Sequence, residues 1–121
     1  MNESREDLDA AAEGRRYVRA SHLAASLGSP EEKIDTLRKE ALWQMSAVFR
    51  NAAGSRILAD QYGMSKKAVE DFLRKRSEEE KERGNAKSLE PTFDYLTSRY
   101  LNFDEWLEQL MKKWDKFAGS A

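Results

Sequence analysis

Catalysis and metal binding need nucleophiles, titratable groups or ligands at workable spacing, and this chain offers few of them. It has one histidine, His22, and no cysteine, which excludes thiolate catalysis, thiolate metal sites and a disulfide framework. Ser21 stands beside His22, but no Asp or Glu follows at ligand spacing, so the pair reads as helix surface. Carboxylates are plentiful, yet each cluster (Glu31-Glu32, Glu78-Glu79-Glu80, Asp104-Glu105) has a capping or solvated-face explanation. There is no Glu-x-x-His pair, no HExxH, no glycine-rich phosphate loop and no EF-hand loop. The expectation is a protein that is not an enzyme, without cofactor, metal or small-molecule ligand.

The remaining chemistry is cationic and local. The whole chain is balanced, with 21 basic against 22 acidic residues, so no global charge footprint points to a polyanion. Over residues 65–76, however, Lys66, Lys67, Arg74, Lys75 and Arg76 face only Glu70 and Asp71. These residues follow a sharp punctuation: Leu58-Ala59, three residues, Gly63-Met64-Ser65, then Val69 and Phe72. Gly63 can close a helix in the left-handed conformation, and Ser65 can cap the next. Ala59 is small enough for a steep crossing, and Leu58, Tyr62, Met64, Val69 and Phe72 would fill the angle.

Residues 55–74 therefore resemble the helix-turn-helix superfamily motif, which spans about 20 residues. The resemblance implies that the helix opening at Ser65 is a recognition helix. Ser65, Lys66, Lys67 and Arg74 would then meet phosphates or base edges of double-stranded DNA, with Arg56 assisting at the backbone. Glu70 and Asp71 oppose this unless the neighbouring cations pair with them. No aromatic residue interleaves with the basic ones, so single-strand stacking is not indicated. A weaker echo of the same register occurs over residues 23–37, where Ser29 replaces the apolar residue after the glycine; it reads as an ordinary helix corner.

Helices must position these residues, and the composition agrees. Hydrophobic residues make up 40% and charged ones 36%, with two prolines and no period-two alternation, as expected of an all-α, small multi-helix domain. Residues 1–14 are acidic and alanine-rich and predict a flexible tail. A single helical domain should occupy 15–118. A first helix with Tyr17, Leu23 and Leu27 inward should end at Gly28, and Ser29 should cap the next with Pro30 in its first turn. That helix carries Ile34, Leu37, Ala41, Met45 and Val48 at helical spacing, with Leu42 and Phe49 widening the stripe. Asn51-Ala52-Ala53-Gly54 predicts a break before a helix opening at Ser55.

Residues 77–90 read as a charged extension and linker projecting into solvent. Residues 91–118 read as a C-terminal helical hairpin, its first helix carrying Phe93, Leu96 and Tyr100 and its second opening on an Asn102/Glu105 capping box. The second is strongly amphipathic, with Phe103, Trp106, Leu107, Leu110, Trp114 and Phe117 on a broad apolar face. Gly119, Ser120 and Ala121 read as an unstructured end. Trp106, Leu110, Trp114 and Phe117 are the expected surface for a homodimer or protein partner. No apolar run approaches the ~18 residues of a membrane span, so an intracellular location is expected, with no membrane partner. The leading expectation is a DNA-binding protein, a small transcriptional regulator acting as a dimer. The alternative is a protein-interaction or assembly module that uses the C-terminal aromatic helix.

Overall fold

The computed structural model describes residues 4–117, so the expected unstructured end lies outside the described residues. The fold is mainly α-helical, with six α-helices and one two-stranded sheet among the described residues. The described residues form two compact units that divide between Gln44 and Met45, where the sequence predicts one domain over 15–118.

The first unit packs α1 (Arg5–Glu13), α2 (Tyr17–Ser26) and α3 (Glu31–Trp43). The expectation of a loose tail is overturned here. The Ser4 hydroxyl accepts the Asp7 N–H at 3.2 Å, while the Asp7 carboxylate accepts the Ser4 N–H at 3.1 Å, a reciprocal cap that starts α1. Leu8 and Ala11 are buried in one cluster with Ala20, Leu23, Ala24, Ile34 and Leu37. A single leucine is enough because the facing positions of α1 and α2 are alanines, which let the two helices approach closely.

Two boundary details also differ from expectation. Leu27 is exposed rather than inward, because α2 ends at Ser26 and the chain turns through Gly28 at φ +68. Pro30, not Ser29, holds the cap position of α3, in extended conformation and without a side-chain cap bond. The Ser29 N–H is spent closing the preceding turn onto the Ala24 carbonyl.

After Trp43 the helix widens into a π-turn over Gln44–Val48. A π-turn inserts one extra residue into the helical repeat, so everything beyond it rotates off the original stripe. This explains why Ser46 and Ala47 are buried while Val48 and Phe49, expected in the core, stand in solvent. Asn51 then caps α4 (Ala52–Gln61) by accepting the Gly54 N–H at 2.8 Å. The predicted break is thus the cap and first turn of the helix, and Ser55 lies inside it. The Ser55 hydroxyl donates to the Asn51 carbonyl and meets the buried Ser46 hydroxyl at 2.8 Å.

The second unit continues with α5 (Lys66–Glu82), a 3-10 turn at Ala86–Leu89, and strands β1 (Thr92–Asp94) and β2 (Arg99–Leu101). It ends with α6 (Phe103–Lys112) and a 3-10 turn at Trp114–Phe117. The strands are antiparallel, with Phe93 opposite Tyr100, and they replace the first helix of the predicted helical hairpin. Pro91 disfavours a helical residue before it. Asp94 supplies a stronger local alternative, because its carboxylate accepts the Thr97 N–H at 2.8 Å and the Thr97 hydroxyl at 2.6 Å. Threonine and aromatic residues suit the strands on either side. The Asn102/Glu105 capping box forms as expected, and Phe103, Leu107 and Leu110 are buried on α6.

Arg50 joins these parts. Its Nε donates to the Ala47 carbonyl and its Nη1 to that of Leu101, both at 3.0 Å. Its Nη2 donates to the Ser88 and Glu90 carbonyls at 3.0 and 2.9 Å. The guanidinium also lies 5.6 Å from the Phe103 ring centroid. Burial lowers the pKa of Arg50 from its usual value, opposed by the negative charge of Asp94. One side chain therefore closes the π-turn, the 3-10 turn and the hairpin together. Arg50→Ala should cost about 3 kcal/mol, because carbonyls lose a charged donor. Arg50→Lys should recover less than half of that, since an ammonium lacks the fork geometry. Urea denaturation of both variants gives the numbers.

Gly63 sits at φ +70 with nothing within 4 Å of an added Cβ, so a substitution there meets backbone strain alone. Gly63→Ala should cost about 1 kcal/mol and the β-branched Gly63→Val about 2. Equal stability of the valine variant and the wild type in denaturant would show that the turn relaxes.

Candidate nucleic-acid interface and an aromatic hairpin

The turn from α4 to α5 is built from backbone bonds. The Gly63 N–H donates to the Asp60 carbonyl at 3.2 Å and the Met64 N–H to that of Ala59 at 2.9 Å, the paired bonds of a glycine-terminated helix. Ser65 then caps α5, its hydroxyl accepting the Ala68 N–H at 3.1 Å. Leu58, Ala59 and Val69 are buried, and Tyr62, Met64 and Phe72 are half-buried. Beyond the turn, α4 packs on the C-terminal 3-10 turn and α5 packs on α6.

Ser65, Lys66, Lys67 and Arg74 are all exposed along the outer side of α5. The two carboxylates among them are held by their own helix: Glu70 accepts Arg74 at 2.8 Å, and Asp71 lies 3.4 Å from Lys67. Both pairs are largely in solvent, where such pairs contribute between nothing and about 1 kcal/mol. They mask the acidic charge while leaving the cations able to exchange partners.

Arg56 does not belong with these residues. Its Nε pairs with Asp60 at 3.1 Å, its Nη1 donates to the Trp114 carbonyl at 2.6 Å, and its guanidinium lies 4.7 Å from the Trp114 ring centroid. It is a clamp between α4 and the C-terminal turn, its Nε and Nη1 both engaged within the unit. The expected partner surface is corrected as well. Trp106, Leu110 and Trp114 are 3%, 1% and 6% exposed, because α6 covers the unit's own core. Only Phe117 of that set is partly accessible.

The outer half of α5, expected to project into solvent, is anchored as well. Ser77 and Glu80 are buried. Ser77 donates to Asp104 Oδ1 at 3.1 Å and Lys81 to Asp104 Oδ2 at 2.7 Å, while Glu80 accepts Arg76 at 3.0 Å and Arg83 at 3.1 Å. A polar seam needs no apolar stripe, so hydrophobic periodicity could not reveal it.

The chain matches no protein-family model, no curated protein and no solved structure. Its site is therefore read from its own geometry. Among the described residues, no group of His, Asp or Glu is placed to hold a metal ion, and no helix is long and apolar enough to cross a membrane.

A second feature was not visible as a site in the sequence. Phe93 contacts Tyr95 and Tyr100 edge-on, with centroids at 5.0 and 5.3 Å. These rings, with Leu96 and Phe49, stand in solvent, and Phe49, Phe93, Tyr95 and Leu96 line an open cleft of about 520 Å³ together with Ala52, Ala53 and Trp106. Helical spacing hides this cluster, because it assigns the same residues to a buried stripe. The Asp94/Thr97 turn pair was the available signal.

The Asp104 seam makes a pH prediction. Burial works against the Asp104 carboxylate, but hydrogen bonds from Lys81 and Ser77 and the charges of Lys81 and Arg74 hold its pKa below the usual value. Its hydrogen bond to Asp104 raises the Lys81 pKa, partly opposed by desolvation. A depressed carboxylate stabilises above its unfolded-state pKa and loses that contribution as pH falls through the folded value. A raised lysine stabilises below its unfolded-state pKa and loses it as pH rises through the folded value. Asp104→Asn should therefore be less stable than wild type at pH 7 by up to about 1 kcal/mol, given the solvent exposure of the pair. Thermal melts should show the gap closing both in strong acid and above the usual lysine range.

Proposed function

We propose that the chain binds double-stranded DNA through the first turns of α5, as a helix-turn-helix protein that is not an enzyme. The observation that carries this reading is the placement of Lys66 and Lys67 at the exposed opening of α5, directly after the Gly63 turn. Pairing of Glu70 with Arg74 and of Asp71 with Lys67 lowers the repulsion between these two carboxylates and a polyanion, since each has a cation one helical turn away. The contact residues are Ser65, Lys66, Lys67 and Arg74, without Arg56. A regulatory role in transcription is the use that suits such a reader.

A second reading, a protein-interaction module, is favoured by the exposed aromatic residues of the hairpin. Its surface is the hairpin rather than the C-terminal helix. Contiguous exposed apolar patches of this kind commonly mark contact surfaces.

The two separate on salt. With about three phosphate contacts, the slope of log K against log salt should be roughly −2.7, or about 40-fold weaker binding between 50 and 200 mM. Fluorescence anisotropy on random duplex DNA measures it. Lys66→Ala and Lys67→Ala should each reduce the slope by about one. Absence of binding at the lower salt concentration, or affinity insensitive to salt, sinks the DNA reading.

A further inference from the structure

We propose that the hairpin face is a homodimer surface, in which the Tyr95-Leu96 tip of one copy seats in the cleft of the other. The inference stands independently of DNA binding and rests on area, shape and charge.

The area is close to what a dimer needs. Tyr95 is 87% exposed, Tyr100 70%, Leu96 63%, Phe49 59% and Phe93 37%. With ~150–250 Å² for a full aromatic side chain, these residues leave roughly 600 Å² of contiguous surface in solvent. A two-fold pairing would hide both copies' patches, about 1,200 Å² together, which reaches the lower bound of stable interfaces. Of the unit's other aromatic residues, Phe103, Trp106 and Trp114 are buried, and Tyr62, Phe72 and Phe117 are half-buried.

The shape is self-complementary. A two-fold interface uses one patch on both subunits, so that patch must carry both a protrusion and a recess. Here Tyr95 and Leu96 protrude at the hairpin tip, and they border the 520 Å³ cleft that also takes in Phe49 and Phe93. Two copies related by a two-fold axis can therefore each supply the tip that fills the other's recess.

Charge neither opposes self-association nor selects a charged partner. The charged groups of the cleft wall are Arg50 and Asp94. Arg50 is spent on four backbone carbonyls, and Asp94 on Thr97. The two wall charges are of opposite sign, so the wall itself carries no net charge to repel a second copy. Burial of Tyr95 and Leu96 at the centre of such a contact makes them the anchors.

Sedimentation of the full chain across concentration tests this. The wild type should move from 13.9 kDa to twice that mass, with a dissociation constant of about 10 µM or tighter. The double variant Tyr95→Asp/Leu96→Asp should weaken association by at least about 100-fold. Both residues lie in solvent at a turn, so its melting temperature and circular dichroism should match the wild type. As the chain has no cysteine, mixing a Leu96→Cys variant with a mass-tagged Ala53→Cys variant gives a second readout. Oxidation should yield the mixed disulfide dimer markedly faster than Leu96→Cys mixed with Lys66→Cys, a control for coupling of exposed thiols by random collision. A wild type that stays monomeric at about 100 µM, well above the expected constant, overturns the proposal. A double variant that dimerises as tightly as wild type overturns it too, as does a mixed pair that cross-links no faster than that control.

Discussion

Four backbone carbonyls converge on the Arg50 guanidinium, and the second unit depends on that convergence. The carbonyls come from the π-turn, the 3-10 turn and β2, three segments too short or irregular to satisfy their own backbone. Irregular backbone near a core must find partners, because an unmet polar group there costs as much as a lost hydrogen bond. Arg50 itself adopts φ +50, an unfavourable conformation for a residue with a Cβ. The bonds it makes over-determine that conformation and offset the strain.

From that buckle the two surface features follow. Turning the chain at Arg50 sets the start of α4, whose far end carries the Gly63 turn and hence the exposed opening of α5. Tying down β2 and the Ser88 and Glu90 carbonyls holds the base of the hairpin, so Tyr95 and Leu96 stand at a fixed tip. Arg56 performs a parallel task at the other end of the unit, joining α4 to Trp114. Arg56, which the sequence offers as a phosphate ligand, is thus a structural cation, as Arg50 is. Of the cations left on the outside of α5, Lys67 and Arg74 are held weakly by carboxylates of their own helix.

The polar seam between α5 and α6 gives the same lesson from the opposite side. Ser77, Lys81 and Asp104 do with hydrogen bonds what a leucine stripe does with area. A residue pattern made of Ser, Glu, Lys and Arg carries no moment that marks it as packed. It reads as solvated surface until α6 is brought against it.

Local chemistry was legible from the sequence alone: the mainly helical fold, the Gly63 turn and Ser65 cap, the Asn102/Glu105 box, and the apolar face of α6. Each is decided within four or five residues by caps, left-handed glycine or periodicity, forces that act before any tertiary contact exists. The folding of residues 5–13, the π-turn that throws Val48 and Phe49 outward, the hairpin and the fates of Arg50, Arg56 and Trp114 required the tertiary structure. The arginine and tryptophan fates depend on partners dozens of residues away, as in the 51-residue separation of Arg50 and Leu101 or the 58 of Arg56 and Trp114. In α1 and the hairpin, local caps and turns act together with packing that spacing alone does not report. Spacing along one chain segment reports which face a residue occupies. Whether that face meets the chain's own core, as Trp114 does, or solvent, as Tyr95 does, is settled only when distant segments compete for the same area.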